Sequence, residues 1–174
     1  ELGRTPEAAL AAERVAANSN ATADLKAEAG LLVAKGLLEK NDLEGAYTKF
    51  KSVSGASVNA LGAEAKFHMA YVRHLQTQYR KAETEVFELV QKYPAYDHWK
   101  ARAFILLGDV YVQLDDRFQA KATLQSVIDN CQEPDLVAQA RQRLDTINAS
   151  EVRKNIPTPE EELTIPLPGN PNGR

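Results

Sequence analysis

Long apolar runs are absent from this chain. No stretch approaches the ~20 consecutive apolar residues that a membrane-spanning helix needs, and the opening ELGRTPEAAL lacks the apolar core of a signal peptide. An excess of basic residues is absent too, since 24 acidic side chains stand against 21 basic ones and the net charge is −3. The composition therefore predicts neither direct membrane insertion nor a nucleic-acid surface.

Motifs that carry catalytic or cofactor chemistry are also missing. The single cysteine, Cys131, excludes a disulfide within the chain, and the surrounding run DNCQEP offers no base that would activate its thiol. His68 and His74 are not spaced to chelate a metal from one helical turn. Gly55 lacks the glycine–lysine continuation of a phosphate-binding loop. We therefore expect no enzymatic activity, no cofactor and no metal.

A repeated pattern of small and large apolar residues is present instead. Gly108 follows a leucine, Tyr111 comes three residues later, and Ala120 and Leu124 continue the spacing. A small residue at 108 lets a second helix approach closely, Tyr111 fills the space beside it, and Ala120 is the small contact on the second helix. The pattern predicts two packed helices joined by a short turn.

Two earlier copies of this pattern precede it. Aligning them on the second small residue gives Ala46, Ala82 and Ala120, which lie 36 and 38 residues apart. The second copy departs from the pattern, because Lys66 and Arg73 stand where a large apolar residue and a tyrosine are expected.

The three copies resemble the tetratricopeptide repeat family, whose units of roughly 34 residues each pair two helices. The resemblance covers about residues 27–131. It implies an all-α fold, an α-solenoid of about three helix pairs with an additional N-terminal helix and a C-terminal capping helix. It also implies a non-catalytic scaffold for protein–protein interaction.

Helical periodicity and end signals predict eight helices and two regions. Residues 1–148 are expected to form the helical repeat domain, and residues 149–174 a tail that holds five of the eight prolines. The first helix resembles the second helix of a unit whose first helix is missing, so we expect a piece of a longer array. The tail is either a disordered end or a segment that docks on the repeat body. The helices are expected at about 6–17, 22–39, 43–53, 60–76, 79–92, 98–114, 117–130 and 134–148.

The resemblance also implies which side chains face the groove, because the first helix of each unit lines the concave surface. The resulting groove is apolar with a histidine and tyrosine patch, and it suits a protein or peptide partner. The same stripe of apolar side chains is equally typical of a core. Arg102 and Leu106 stand at further groove-facing steps. The main groove residues are Leu31, Lys35, Leu38, Phe67, His68, Tyr71, His74, Ile105, Asp109 and Val112.

The run HWKARAFILLGDVYVQLDDRFQAKATLQSVIDN is similar to the C-terminal units of large tetratricopeptide-repeat proteins of Bacteroidetes-type bacteria. More loosely, it is similar to periplasmic repeat proteins of outer-membrane assembly. This resemblance implies a cell-envelope or periplasmic location, with a cytoplasmic one left open. Two other functions stay open: an inert spacer within a longer array, and a regulatory domain of an enzyme encoded upstream. The oligomeric state is open as well.

Overall fold

The structure is a computed structural model, and it describes residues 6–154, with side chains described for 11–151. All regular elements within these residues are helices, which confirms the predicted all-α fold. The third and eighth helices run a few residues further than predicted. The elements are α1 (Pro6–Ala17), α2 (Ala23–Glu39), α3 (Leu43–Ala56), α4 (Ala60–Leu75), α5 (Tyr79–Lys92), α6 (Asp97–Gln113), α7 (Arg117–Asn130) and α8 (Pro134–Lys154).

The helices form two layers. Each helix packs against the next one in the chain, and in addition α2 contacts α4, α4 contacts α6 and α6 contacts α8. These contacts define an inner layer of α2, α4, α6 and α8, and an outer layer of α1, α3, α5 and α7. The arrangement is that of a helical-repeat solenoid. None of the described helices is long and apolar enough to cross a membrane.

The three helix pairs are α2 with α3, α4 with α5, and α6 with α7. The turn inside each pair has the same backbone conformation. Asn41, Thr77 and Asp115 have φ angles of 60°, 58° and 59°, in the left-handed region. In the first pair the amide of Asn41 donates to the carbonyl of Leu38 and that of Asp42 to the carbonyl of Leu37, and the other two turns repeat this pattern. These bonds satisfy the last carbonyls of the first helix of each pair. The repeat therefore extends from sequence to backbone geometry.

The small residues of the repeat pattern lie in the core as predicted. Ala46, Ala82 and Ala120 are fully buried. At Gly108 the tight neighbour is Leu124, since a Cβ built on this glycine would lie 2.7 Å from the Leu124 Cγ. The side chain nearest to Gly108 on α7 is therefore Leu124, and the Gly108–Ala120 contact expected from the sequence stays a prediction.

The two departures from the repeat pattern belong to one polar cluster between α3, α4 and α5. The buried Lys66 ammonium donates to the carboxylates of Glu85 and Glu88. The Tyr47 hydroxyl donates to Glu85 across 2.6 Å, and the Arg73 guanidinium lies 3.7 Å above the Tyr47 ring. Burial alone lowers the pKa of Lys66, but the two carboxylates outweigh it and the pKa is raised. The charges are thus tolerated in the core because they are paired.

Aromatic side chains fill the joint between the second and third pairs. The hydroxyl oxygen of the fully buried Tyr93 lies 2.9 Å from the carbonyl oxygens of both Ser54 and Ser57, which share its single donated hydrogen. Tyr96 packs edge-on against Tyr93, and the Trp99 ring lies 5.5 Å from that of Phe67 on α4. Tyr93 and Tyr96 therefore fill one side of the joint, and Trp99 fills the side next to Phe67.

Helix α8 closes the described array. Leu136, Ala140 and Ile147 are buried against the preceding helices. The opposite side of α8 is polar and exposed, with Arg141 and Asp145 among its residues. A terminal repeat helix requires such a polar outer face, so α8 matches the predicted capping helix.

Candidate functional site

The inner helices α4, α6 and α8 enclose a cleft of about 330 Å³ on the concave side. Its position follows from the fold, because successive inner helices contact each other directly and leave one side of each helix uncovered. The lining combines aromatic, aliphatic, cationic and anionic side chains, which suits a polypeptide ligand better than a small apolar molecule. The lining residues are Phe67, His68, Tyr71, His74, Arg102, Ile105, Leu106, Asp109, Gln139 and Arg143.

Aromatic rings form the wall that α4 contributes. Phe67 and Tyr71 lie one helical turn apart with nearly parallel rings, 6.5 Å between centroids. His68 stacks on Phe50 of the outer layer at 4.9 Å. Phe67 is buried, whereas His68 and Tyr71 are half-buried. The accessible part of this wall is therefore His68 and Tyr71, with Phe67 behind them.

Arg102 is held against this wall by two rings. Its guanidinium carbon lies 4.7 Å from the centroid of Phe67 and 5.0 Å from that of Trp99. Burial lowers the pKa of Arg102, although Glu64 opposes the shift. The stacking fixes the side chain while its in-plane N–H groups remain available.

Two ion pairs flank Arg102 on the inner helices. The Arg143 Nε of α8 donates to both carboxylate oxygens of Asp109, across 3.0 and 2.9 Å. Lys35 of α2 pairs with Glu64 of α4. Arg102 is in contact with no carboxylate of the described residues. Glu64 therefore acts on Arg102 from a distance, without a direct ion pair.

His74 lies at the opposite end of the cleft. Its Nδ1 is buried and has no hydrogen-bond partner among the residues described, and its ring lies 5.7 Å from that of Tyr79. Burial lowers the pKa of His74, and the negative charge of Asp109 opposes this shift. The imidazole is therefore biased towards its neutral form.

The structure brings together six of the ten main groove residues predicted from the sequence. All six come from α4 and α6, and the predicted neighbours Arg102 and Leu106 join them. Of the other four, Leu31 is buried in the core of the first two pairs, and Leu38 packs against that core. Lys35 makes the ion pair with Glu64, and Val112 packs against the core of the later pairs.

Two cleft residues, Gln139 and Arg143, were missed by the sequence reasoning. Both lie on α8, which was interpreted only as a cap. A signal was present, because Arg143 follows Asp109 by 34 residues, close to the family period. Treating α8 as one more inner helix would have found it.

A second cleft of about 400 Å³ lies between the start of α6 and the end of α7, beside the half-buried Cys131. It is lined mainly by residues at helix ends and by the loop after α7, with Phe104 as its one aromatic side chain. No group of three or more histidine, cysteine, aspartate or glutamate side chains within the described part could hold a metal ion. The inner cleft, which combines aromatic rings with the stacked guanidinium of Arg102, is therefore the stronger candidate.

Comparisons with known proteins agree with this architecture. No curated protein matches the sequence. The crystal structure of BtubC (BKLC) from P. vanneervenii is similar with a TM-score of 0.63 at 15% identity, over 94% of this chain and 78% of that one. A likeness at this identity concerns the fold alone. The family model of the tetratricopeptide repeat-like domain matches residues 3–149. The chain therefore belongs to the tetratricopeptide repeat-like domain family, whose members typically mediate protein interactions and are typically non-catalytic.

Proposed function

We propose that this chain is a non-catalytic interaction module that binds a segment of a partner protein in the cleft between α4, α6 and α8. The observation that carries the proposal is the composition of that cleft. Aromatic rings, partly buried histidines and a stacked guanidinium meet there, and aromatic residues and arginine dominate binding energy at protein interfaces. A partner segment would rest on Tyr71 and His68 and exchange hydrogen bonds with the polar rim.

Site-specific photocrosslinking tests this function. A photoreactive amino acid at Gln139, which is exposed and lines the cleft, should form crosslinks to a partner in the native host. The same group at Arg141, which is exposed on the outer face of α8, is the matched control. Crosslinks at both positions alike, or at neither, would count against a partner site in this cleft.

The Tyr71→Ala variant supplies the second arm. Tyr71 is half-buried at the cleft wall, so its removal should reduce crosslinking from position 139 severalfold and change the free energy of unfolding by less than about 1 kcal/mol. A stability loss of about 3 kcal/mol or more, typical of truncating a core aromatic residue, would show instead that Tyr71 is a core residue.

A second candidate function is an inert structural spacer. The burial of Leu31, Phe67 and Ile105 favours it, because these predicted groove residues contribute to the core. A spacer predicts that position 139 crosslinks to nothing specific. The remaining alternative, a regulatory domain of an enzyme encoded upstream, predicts that the crosslinked protein is a catalytic domain of the same polypeptide.

We further propose that the module is part of a larger protein of the cell envelope. The support is the resemblance of residues 98–130 to repeat units of envelope proteins. Fractionation of the host tests this location, since an antibody against the module should detect it in the periplasmic or membrane fraction. Detection in the cytosolic fraction alone would overturn it.

A further inference from the structure

The charge pattern of the cleft indicates what kind of segment it accepts. The two flanking ion pairs, Arg143 with Asp109 and Lys35 with Glu64, are internally neutral. Arg102 adds one positive charge that no described carboxylate contacts. Burial of this cation outweighs the distant attraction of Glu64, and an incoming carboxylate in direct contact would relieve that cost. The surface therefore favours a segment with an acidic side chain, although the whole chain is net negative.

The geometry of Arg102 adds to this preference. Its guanidinium is already fixed by the rings of Phe67 and Trp99, so little side-chain entropy remains to be lost on binding. Planar N–H donors match the two oxygens of a carboxylate. The neighbouring Tyr71 and His68 provide apolar surface next to this anchor. An acidic residue followed by apolar ones is the sequence that complements the site.

Such a sequence stands within this chain. Residues 160–167 read EEELTIPL, three glutamates followed by apolar residues at alternate positions, and they lie outside the described residues. Prolines at 157, 159, 166 and 168 reduce the conformational entropy that an extended segment loses on docking.

The distance from α8 allows this segment to reach the cleft. Arg143, on the cleft wall, precedes the end of α8 at Lys154 by about 16 Å of helix. Arg143 pairs with Asp109 of α6. Arg102 precedes Asp109 on the same helix by about two turns, so it lies further from Lys154 than Arg143 does. That makes the total span about 27 Å. Eight extended residues after Lys154 span about 26–29 Å, so residue 162 can reach Arg102. Residue 160, six residues after Lys154, spans only about 20–22 Å, which reaches Arg143 but not Arg102.

We propose that residues 160–167 occupy the concave cleft in cis, with the carboxylate of Glu162 on Arg102 and the apolar side chains that follow it against the α4 wall. This inference rests on one part of the proposed function, namely that the cleft binds a polypeptide segment. Partner segments that carry an acidic residue beside apolar ones then compete with the chain's own segment.

Amide hydrogen exchange on the full 174-residue chain tests the proposal. Residues 162–167 should exchange roughly tenfold more slowly in the parent than in a variant with glutamine at 160, 161 and 162. Arg102→Gln should remove the same protection, whereas Arg141→Gln, an equal charge loss on the outer face of α8, should not. Exchange at the intrinsic rate in the parent, or protection that persists in both the triple variant and Arg102→Gln, would overturn it. Protection that disappears on dilution would also overturn it, because the segment would then bind a second copy.

Trp99, the only tryptophan of the chain, reports on the cleft independently. Its ring lies against Arg102 and near Phe67, so acrylamide quenching of its fluorescence should be stronger in the triple glutamine variant than in the parent. The quenching measurement needs no substitution within the helices, so it tests docking of residues 160–167 even if Arg102→Gln does not fold. Equal quenching would refute docking beside Trp99.

The two proposals fail in different ways. Segment protection without specific crosslinks from position 139 supports cis docking and rejects partner binding. Specific crosslinks, unchanged in yield between parent and triple variant and accompanied by unprotected amides at 162–167, support partner binding and reject cis docking. A synthetic peptide of residues 158–168 should reduce the crosslinking yield of the triple variant if both proposals hold.

Discussion

Replacing Gly108 by alanine tests the helix contact on which the third pair depends. A Cβ at this position would lie 2.7 Å from Leu124 Cγ and 2.8 Å from its Cδ2, and Leu124 is fully buried. Overpacking of this kind costs about 1–3 kcal/mol, while alanine in a helix gains up to about 1 kcal/mol over glycine. We expect a net loss of about 1–2 kcal/mol of unfolding free energy, and a larger loss for Gly108→Leu.

The chain offers a matched control for this substitution. A Cβ built on Gly36 of α2 would meet nothing within 4 Å. Gly36→Ala therefore has the helix-propensity gain without the clash, and it should stabilise the protein by about 0.5–1 kcal/mol. Urea unfolding followed by far-UV circular dichroism measures both variants. In thermal unfolding, at about 2–4 °C per kcal/mol for a chain of this size, the two melting temperatures should differ by roughly 3–12 °C.

A double-variant cycle identifies the cause of the loss. Leu124→Ala removes the atoms that the new methyl group would meet, so the cost of Gly108→Ala should be smaller in that background than in the parent. If Gly108→Ala is as stable as Gly36→Ala, or if the two changes at 108 and 124 are simply additive, the assigned contact between α6 and α7 is wrong.

Three further predictions follow from described contacts. Thr77→Gly should stabilise the protein by about 1 kcal/mol in urea unfolding, because a β-branched residue at φ 58° is strained; unchanged or lower stability would contradict this. Lys66→Met should cost about 3 kcal/mol by leaving the buried Glu85 carboxylate unpaired, and methionine at both positions should recover much of it. The pKa of His74 is lowered in the folded state. Its contribution to stability is therefore complete above about pH 6.5 and is lost as the pH falls through the folded pKa. The melting temperature of His74→Gln should depend less on pH in that range than that of the parent, and an identical pH profile would refute this.

The local features of the fold could be predicted from the sequence alone. Helix ends follow from residues such as Pro6, Asp42 and Pro134, which act through the adjacent backbone. The small residues at positions such as 46, 82 and 120 repeat because every helix pair needs the same close contact. The family resemblance also identified the face of α4 that carries His68, Tyr71 and His74. The division at residue 148 and the behaviour of the tail stay predictions, since residues 155–174 lie outside the described part.

The candidate site was only partly predictable. Periodicity places a residue on a helix face, but neighbouring helices decide how much of that face they cover. Leu31 and Phe67 stand at groove-facing steps, yet adjacent helices bury them. Arg143 lies on a helix outside the three recognised units, and its pairing with Asp109 depends on how α8 docks beside α6. Lys66 looked like a defect in the pattern, and only the packing of α5 against α4 supplies its carboxylate partners. Sequence thus determined the elements and their repeat, whereas the distances between side chains of different helices, which set burial and charge pairing, were decided by the tertiary structure.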